Sequence, residues 1–483
     1  MTISEQDVAA AESTERTAST RWALIALSLS MLLSSLSTSI ANVALPTLAQ
    51  AFSASFQQVQ WVVLGYLLAI TVLVVSAGRL GDIIGRRRLL LGGFVLFTAA
   101  SAFCGAAPTL WLLIAARVAQ GAGAAIMMAL TMALVGEIVP KTKTGSAMGL
   151  LSTMSAIGTA LGPSVGGVLI SGFGWRAIFF VNVPLGLLTL VLAYRCLPPD
   201  RRRPNDERPR FDHVGTLLLA LTLAAYALAM TTGRGSFGPL SAALLLAAVV
   251  GGGVFVLAES KAVSPLIRLT MFRDPVLSAS LATSALVSTV MMATLVVGPF
   301  YLSLALGLEA ALVGVVISVG PLVVALTGVP AGRMADRFGA QRIAVAGLAG
   351  IAAGCFGLSM IPSTFGVAGY IAPLVVITGG YALFQTANNT AVMADVPLDR
   401  RGVVSGVLNL SRNLGLVTGA SAMGAVFALA SATVDITTAP PEAVATGMRT
   451  TFAVAAVLIL VGIALAIASG AAATRPSLPK GGV

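Results

Sequence analysis

One unusual stretch is written twice in this chain. Gly78-Arg79-Leu80-Gly81-Asp82-Ile83-Ile84-Gly85-Arg86-Arg87-Arg88 separates two apolar segments, Val59–Ser76 and Leu89–Ala107, each long enough to cross a bilayer. A related run, Gly332-Arg333-Met334-Ala335-Asp336-Arg337-Phe338-Gly339-Ala340-Gln341-Arg342, returns 254 residues later. Two glycines, the aspartate, the first arginine and the last arginine coincide in order. Glycine permits a tight reversal, and arginine cannot follow a helix into lipid, so each run reads as a short basic connector between two membrane helices. A loop that merely collects Gly and Arg would not hold an aspartate at a fixed place. The repeat therefore predicts two related halves in tandem.

Composition agrees. The 483 residues are 57% apolar and 10% charged, with a mean hydropathy of +0.95, whereas ordinary soluble domains carry about 25% charged residues. The net charge of +11 does not indicate nucleic acid, because the basic residues cluster at the ends of apolar segments, as membrane topology requires. Cys104, Cys196 and Cys355 lack the spacing of a metal site or a disulfide framework, and His213 stands beside Asp212 at a segment boundary. No span carries His/Asp/Glu ligand spacing. The sequence thus predicts no metal, no cofactor and no enzyme.

Hydropathy places fourteen spans, near 22–45, 59–78, 89–107, 110–137, 145–171, 177–195, 214–232, 240–258, 276–305, 311–331, 343–361, 367–394, 403–429 and 449–470. The expected plan is all-helical. A disordered tail (1–21) leads into a six-helix bundle (22–196), and a linker (197–213) leads to two extra helices (214–258). A second linker (259–275) precedes another six-helix bundle (276–470) and a tail (471–483). With the N-terminus inside, 24 basic residues fall on the inner side, 3 on the outer side and 2 within spans, Arg117 and Arg412. That asymmetry predicts cytoplasmic termini. Arginine outnumbers lysine 25 to 4, as a GC-rich bacterial genome would produce.

Polar residues inside spans mark candidate sites. An uncompensated arginine in mid-membrane costs at least ~2.5 kcal/mol on insertion scales, so Arg117 is expected to face a wet interior. Asn409, Arg412 and Asn413 share one helical face, and Gln385, Asn388 and Asn389 form another polar group. Either set could line a cavity or join helices by hydrogen bonds. Gly158, Gly162 and Gly166, joined by Gly167, form a stripe along which another helix could approach closely. Pro163 removes one backbone hydrogen bond there, which favours a kink.

Together these motifs resemble the major facilitator superfamily, and within it the 14-span drug:proton antiporter family. Gly78–Arg88 resembles the loop between spans 2 and 3. Leu113 to Arg117 with Gln120, Gly121 and Gly123 resembles the span-4 signature, and Gly158–Gly167 the antiporter signature of span 5. Trp175-Arg176, Phe179, Asn182-Val183-Pro184 and Gly186 are typical of the 14-span branch.

The resemblance implies a multi-pass exporter of the bacterial cytoplasmic membrane. Its substrates would be small lipophilic drugs, antibiotics or metabolites, moved by alternating access in exchange for protons. The protein would be a monomer in the lipid bilayer, without nucleic acid. A metabolite exporter or importer, facilitated or potential-driven, is the alternative. Asn42, Arg117, Gln120, Asn388, Asn409 and Arg412 are the expected cavity residues. Gly78, Asp82, Gly85 and Arg86 would form a cytoplasmic gate at the helix beginning near Gly402, with Asp336 a weaker counterpart. Gly158, Gly162, Pro163, Gly166 and Gly167 would form a pivot.

One position departs from the pattern. In Leu36-Ser37-Thr38-Ser39-Ile40-Ala41-Asn42, Ser37 stands where the family usually carries aspartate. None of the eighteen acidic residues lies near the middle of a predicted span. Glu137 is at the inner end of the fourth and Asp395 at the inner end of 367–394. Three drives stay open: a proton site moved to Glu137 or Asp82, the membrane potential, or facilitated transport alone. With no buried carboxylate to attract cations, the residues favour neutral or anionic substrates.

Overall fold

The computed structural model describes residues 5–54, 56–200, 212–232, 238–262, 265–394, 396–397, 400–431 and 440–473. Its membrane-crossing helices are α1 (Glu5–Ala51), α2 (Phe56–Ile84), α3 (Arg86–Ala106), α4 (Leu110–Ile138), α5 (Thr144–Phe173), α6 (Ala177–Cys196) and α7 (His213–Thr232). They continue as α8 (Pro239–Lys261), α9 (Pro275–Phe300), α10 (Ala310–Phe338), α11 (Ala340–Met360), α12 (Gly366–Ala394), α13 (Arg401–Ala430) and α14 (Pro441–Ala473). Fourteen spans are therefore present among the described residues when α5 counts as one. That helix bends by 40° between Gly162 and Ser164, where Pro163 has no N–H for the helical ladder. A turn at Val181 interrupts α6, because Pro184 cannot donate a hydrogen bond back to Phe180.

One expected boundary needs correction. Residues 5–21 are not an unstructured tail but the start of α1, whose apolar span is Arg21–Asn42. The run from Val8 to Glu12, with three consecutive alanines, has strong helix propensity, and it extends a helix already nucleated. The second linker, between Lys261 and Pro275, carries a short 3₁₀ turn at Leu269–Arg273. Most of the first linker, 201–211, and the tail from 474 lie outside the described residues.

The repeated connector explains the pairing of the halves. Gly85 and Gly339 each end a helix with positive φ, 107° and 91°, a region open to glycine and strained for other residues. Gly78 lies where α2 crosses α13, and a Cβ there would strike the carbonyl of Gly402. Gly332 lies where α10 crosses α5, and a Cβ would strike the carbonyl of Gly145. Between each pair of glycines sits the aspartate. Asp82 accepts hydrogen bonds from the N–H of Gly402 (3.2 Å) and of Val403 (3.1 Å), the first turn of α13. Asp336 accepts from the N–H of Gly145 (2.8 Å), the N–H of Ser146 (2.9 Å) and the Ser146 hydroxyl (2.7 Å), the first turn of α5. A carboxylate satisfies the orphan donors of a helix N-terminus and complements its dipole. Each half thus caps a helix of the other.

Packing inside the halves follows the same repeat. The pairs α1–α5, α2–α4 and α3–α4 in the first half correspond to α9–α13, α10–α12 and α11–α12 in the second. Gly158 and Gly162 admit α1, because Cβ atoms there would meet the carbonyl of Leu32 and the side chain of Ser39. Gly166 is buried. Gly167 faces open space and takes no part in the stripe, contrary to expectation. The extra hairpin lays α7 against both α2 and α13, where Tyr226 bonds Thr418 and the Ser421 hydroxyl donates to the Met230 carbonyl. The outer helix α8 presents Leu246, Val249 and Leu257 outward, as lipid contact requires.

Gly78→Val should force α2 away from α13, at a cost of about 1–3 kcal/mol for overpacking. A maleimide should then label a cysteine at the buried seam position Val407 faster than in the parent. Gly92→Val, with nothing near its Cβ direction, should leave labelling unchanged. Unchanged labelling in Gly78→Val would contradict the crossing.

Candidate functional site

The arginine-rich end of the bundle is closed by a charged network. Arg86 opens α3 and donates to Asp82 through Nε (3.0 Å) and Nη2 (2.8 Å), and through Nη1 to Glu137 at the end of α4 (2.9 Å). Arg401, the first residue of α13, donates to the Gly136 carbonyl and, at 3.2 Å, to that of Val396. Asp82 and Arg86 are both buried, so water screens their attraction little, and that attraction offsets part of the cost of removing both charges from water. The linker contributes as well, because Asp200 accepts from the N–H of Arg87 (2.8 Å) and Arg88 (3.1 Å) and so caps α3. The sequence brought Gly78, Asp82, Gly85, Arg86 and Asp336 to this end. It underrated Asp336, which caps α5 with three hydrogen bonds. Glu137 belongs to the same network rather than to a cavity. Asp395 lies outside the described residues.

Beyond this closure lies a cavity of about 630 Å³ between the halves. Helices α1, α2, α4, α5, α7, α9, α10, α12 and α13 all contribute. Most of the wall is apolar, and Met31, Met128, Met132, Met148, Met291 and Met292 give it a deformable surface. Hydroxyls of α1 and α5 form a polar strip, with Ser35 and Ser155 bonded at 2.6 Å. A second strip combines Tyr381, Gln385 and Asn389 of α12 with Asn409, Arg412 and Asn413 of α13. Among the described residues, Arg412 is the one charged side chain on this wall, and its buried Nε lacks a hydrogen-bond partner. No Asp or Glu among the described residues lines it.

Three expected cavity residues, Asn42, Asn409 and Arg412, are therefore on the wall, and three are not. Asn388 turns away, and its amide donates to the Ser280 carbonyl of α9 at 3.4 Å. Its neighbour Asn389 takes the wall position, about 100° further round the helix. Arg117 and Gln120 sit inside the first half, both fully buried. Arg117 donates to the Val62 carbonyl (2.9 Å), the Ser37 hydroxyl (3.0 Å) and Gln120 Oε1 (2.6 Å). Gln120 in turn donates to Ser101 (2.7 Å). The guanidinium stacks 4.1 Å from the centre of the Tyr66 ring, which supplies further stabilisation of the charge. The polar signal was real, but it reports a braced cation rather than a substrate contact. The methionines and the α1 hydroxyls were missed, although Ser34, Thr38 and Asn42 recur every four residues, the signature of one helical face.

Ser37 explains an imbalance around Arg117. Its hydroxyl occupies the position from which a carboxylate would reach the guanidinium, and Nη2 of Arg117 is buried with no partner. Ser37→Asp should fill that gap with a charge-assisted pair and raise thermal stability by about 1–3 kcal/mol. A lower melting temperature in Ser37→Asp would show that the arginine is already balanced.

The whole architecture has known counterparts. Residues 27–420 match the family description Major Facilitator Superfamily. The multidrug resistance protein Stp of Mycobacterium tuberculosis (strain CDC 1551 / Oshkosh) is 34% identical, over 84% of this chain and 75% of that protein. The riboflavin transporter RibZ of Clostridioides difficile (strain 630) is 30% identical, over 84% of this chain and 88% of that one. In three dimensions the human organic anion transporter MFSD10 superposes with a TM-score of 0.66. It covers 92% of this chain and 99% of its own at 14% identity, a likeness of fold. With its repeated connector, central cavity and this match over most of its length, the chain belongs to the major facilitator superfamily of membrane transporters.

Proposed function

We propose that this transporter exports small, largely apolar, neutral or anionic compounds across the cytoplasmic membrane by alternating access. The observation that carries the substrate class is the wall of the central cavity, with its methionines and, among the described residues, one guanidinium and no carboxylate. Methionine-rich surfaces repack around differently shaped ligands. The unpartnered Nε of Arg412 offers an anion a charge-assisted hydrogen bond in a low-dielectric setting. A cation would meet Arg412 with nothing to offset it. Likeness to a multidrug resistance protein supports export of this kind.

Orientation follows from the basic residues, which put the closed, arginine-rich end and both termini in the cytoplasm. The contacts that join the halves, α2–α13 and α5–α10, lie at that end. The conformation is then outward-facing. Substrate entry from the cytoplasm requires the two aspartate caps to break while the halves, 22–196 and 276–470, rock about the cavity. Both halves are on one chain, so a monomer suffices.

Protons can drive this cycle without a mid-membrane acid. Protonating Glu137 or Asp82 removes a charge that holds Arg86 and loosens the closed end, which links proton uptake or release to gating. This replaces the role expected of the absent span-1 aspartate. A metabolite importer on the same fold is the second reading: likeness to a riboflavin transporter supports a metabolite as substrate, and the direction of transport separates importer from exporter.

Transport into inside-out vesicles tests the reading. An apolar monoanionic dye should accumulate against its gradient, and a monocationic dye of equal size should not. Arg412→Ala should lower dye uptake by roughly tenfold, the loss of about 1.4 kcal/mol from one charged hydrogen bond. Glu137→Gln should uncouple uptake from an imposed pH gradient. Preferential uptake of the cation, with Arg412→Ala unaffected, would overturn the substrate class, and movement only out of the vesicles would favour an importer.

A further inference from the structure

A second cavity, of about 380 Å³, opens beside the closed end and plays no part in the path described above. It lies across the seam of the two halves. Arg79 comes from α2 of the first half, and Arg400 and Val403 come from the start of α13. Arg268 and Asp274 belong to the connector that joins the extra hairpin to α9; Val392 comes from the end of α12, and Val396 from the segment that follows it. Among the described residues, three guanidinium groups and one carboxylate face a largely apolar space. The carboxylate of Asp274 is engaged in capping α9, where it accepts the N–H of Val276 at 2.9 Å.

The rim is built rather than incidental. The buried Glu259 of α8 accepts the N–H of Ile267 at 3.1 Å, which ties one end of the connector down. Leu266 and Ile267 are buried beside it. At the other end the Ser278 hydroxyl donates to the Phe272 carbonyl at 2.6 Å. Between these anchors the connector carries Arg268 into the cavity, while Phe272 stays exposed at the level where the spans end. An aromatic ring at that depth marks the membrane–water interface.

We infer that this cavity binds the phosphate headgroup of an anionic phospholipid. Clustered arginines at a membrane surface attract such headgroups, and planar guanidinium forks match phosphate oxygens well. The apolar wall of Leu266, Met271, Leu277 and Val392 suits the glycerol and the first methylenes of the acyl chains, which a free phosphate ion lacks. Bound phosphate would bridge Arg79 on the first half to Arg400 on the second and to Arg268 on the connector between them. Val403 contributes both to this cavity and, through its N–H, to the Asp82 cap. The lipid is therefore an added tie across the seam, and it favours the state closed at the arginine-rich end.

The test uses the full-length protein in detergent with phosphatidylglycerol, phosphatidylcholine or inorganic phosphate as the probe. Phosphatidylglycerol should bind at least about tenfold more tightly than phosphatidylcholine, because the arginines attract its net negative headgroup. Inorganic phosphate at the same concentration should not compete. Arg268→Gln with Arg400→Gln should abolish the preference, and Arg333→Gln on the other connector should preserve it. Arg268→Gln alone, at an exposed connector position, makes the same comparison should the double variant fail to fold. Equal affinity for the two lipids, competition by inorganic phosphate, or a preference that survives Arg268→Gln would each overturn the assignment.

Discussion

Two carboxylates hold this molecule in the state described. Asp82 and Asp336 each reach out of one half and bind the first backbone N–H groups of a helix in the other. Neither bond is possible unless the helices cross nearly backbone to backbone, which is why Gly78, Gly402, Gly145 and Gly332 stand at the crossings. The positive φ of Gly85 and Gly339 then turns the chain into the next helix immediately after each aspartate. Closure at one end leaves the cavity as the other consequence of the same geometry. Such caps are suited to a moving part. They are strong when formed, and the exposed helix ends can bind water when they break.

The two caps are not electrically equal. Asp82 is buried and shares its charge with Arg86 and, through Arg86, with Glu137, whereas Asp336 is exposed and relies on α5 alone. A change of protonation should therefore act chiefly on the first-half side. Arg117 serves a different purpose. It ties α4 to α1 and α2 through Ser37 and Val62, and so braces the first half from within. Its distance from the cavity wall separates a cation that braces the bundle from one, Arg412, that can meet a substrate.

Much of this was legible in the sequence, because a membrane restricts what a chain can do. Spans, halves and connectors follow from hydropathy and from a repeat of Gly, Asp and Arg. The Asn409, Arg412 and Asn413 face was legible too, since spacing along a helix fixes which residues share a side. What spacing cannot give is the direction that side faces. Arg117 and Gln120 announce that polar partners are near, but those partners, Val62, Ser101 and Ser37, come from three other helices. Asn388 and Asn389 are adjacent in sequence and differ only in rotation about α12, which packing decides. The methionine wall escaped because methionine reads like any other apolar residue until opposing helices leave a space between them. Arg79, Arg268 and Arg400 met only in three dimensions, across a seam that joins distant parts of the chain.

The most direct test of the paired caps is the distance between the two connectors. Spin labels at Arg88→Cys and Arg342→Cys, both exposed, report on the arginine-rich end by pulsed electron resonance. The intact protein should show one dominant short separation. Asp82→Ala with Asp336→Ala should make a longer separation the major one, because charge-assisted caps of about 1.5–3 kcal/mol each are lost. A distribution unchanged by the double substitution would contradict the claim that these two aspartates hold the halves together.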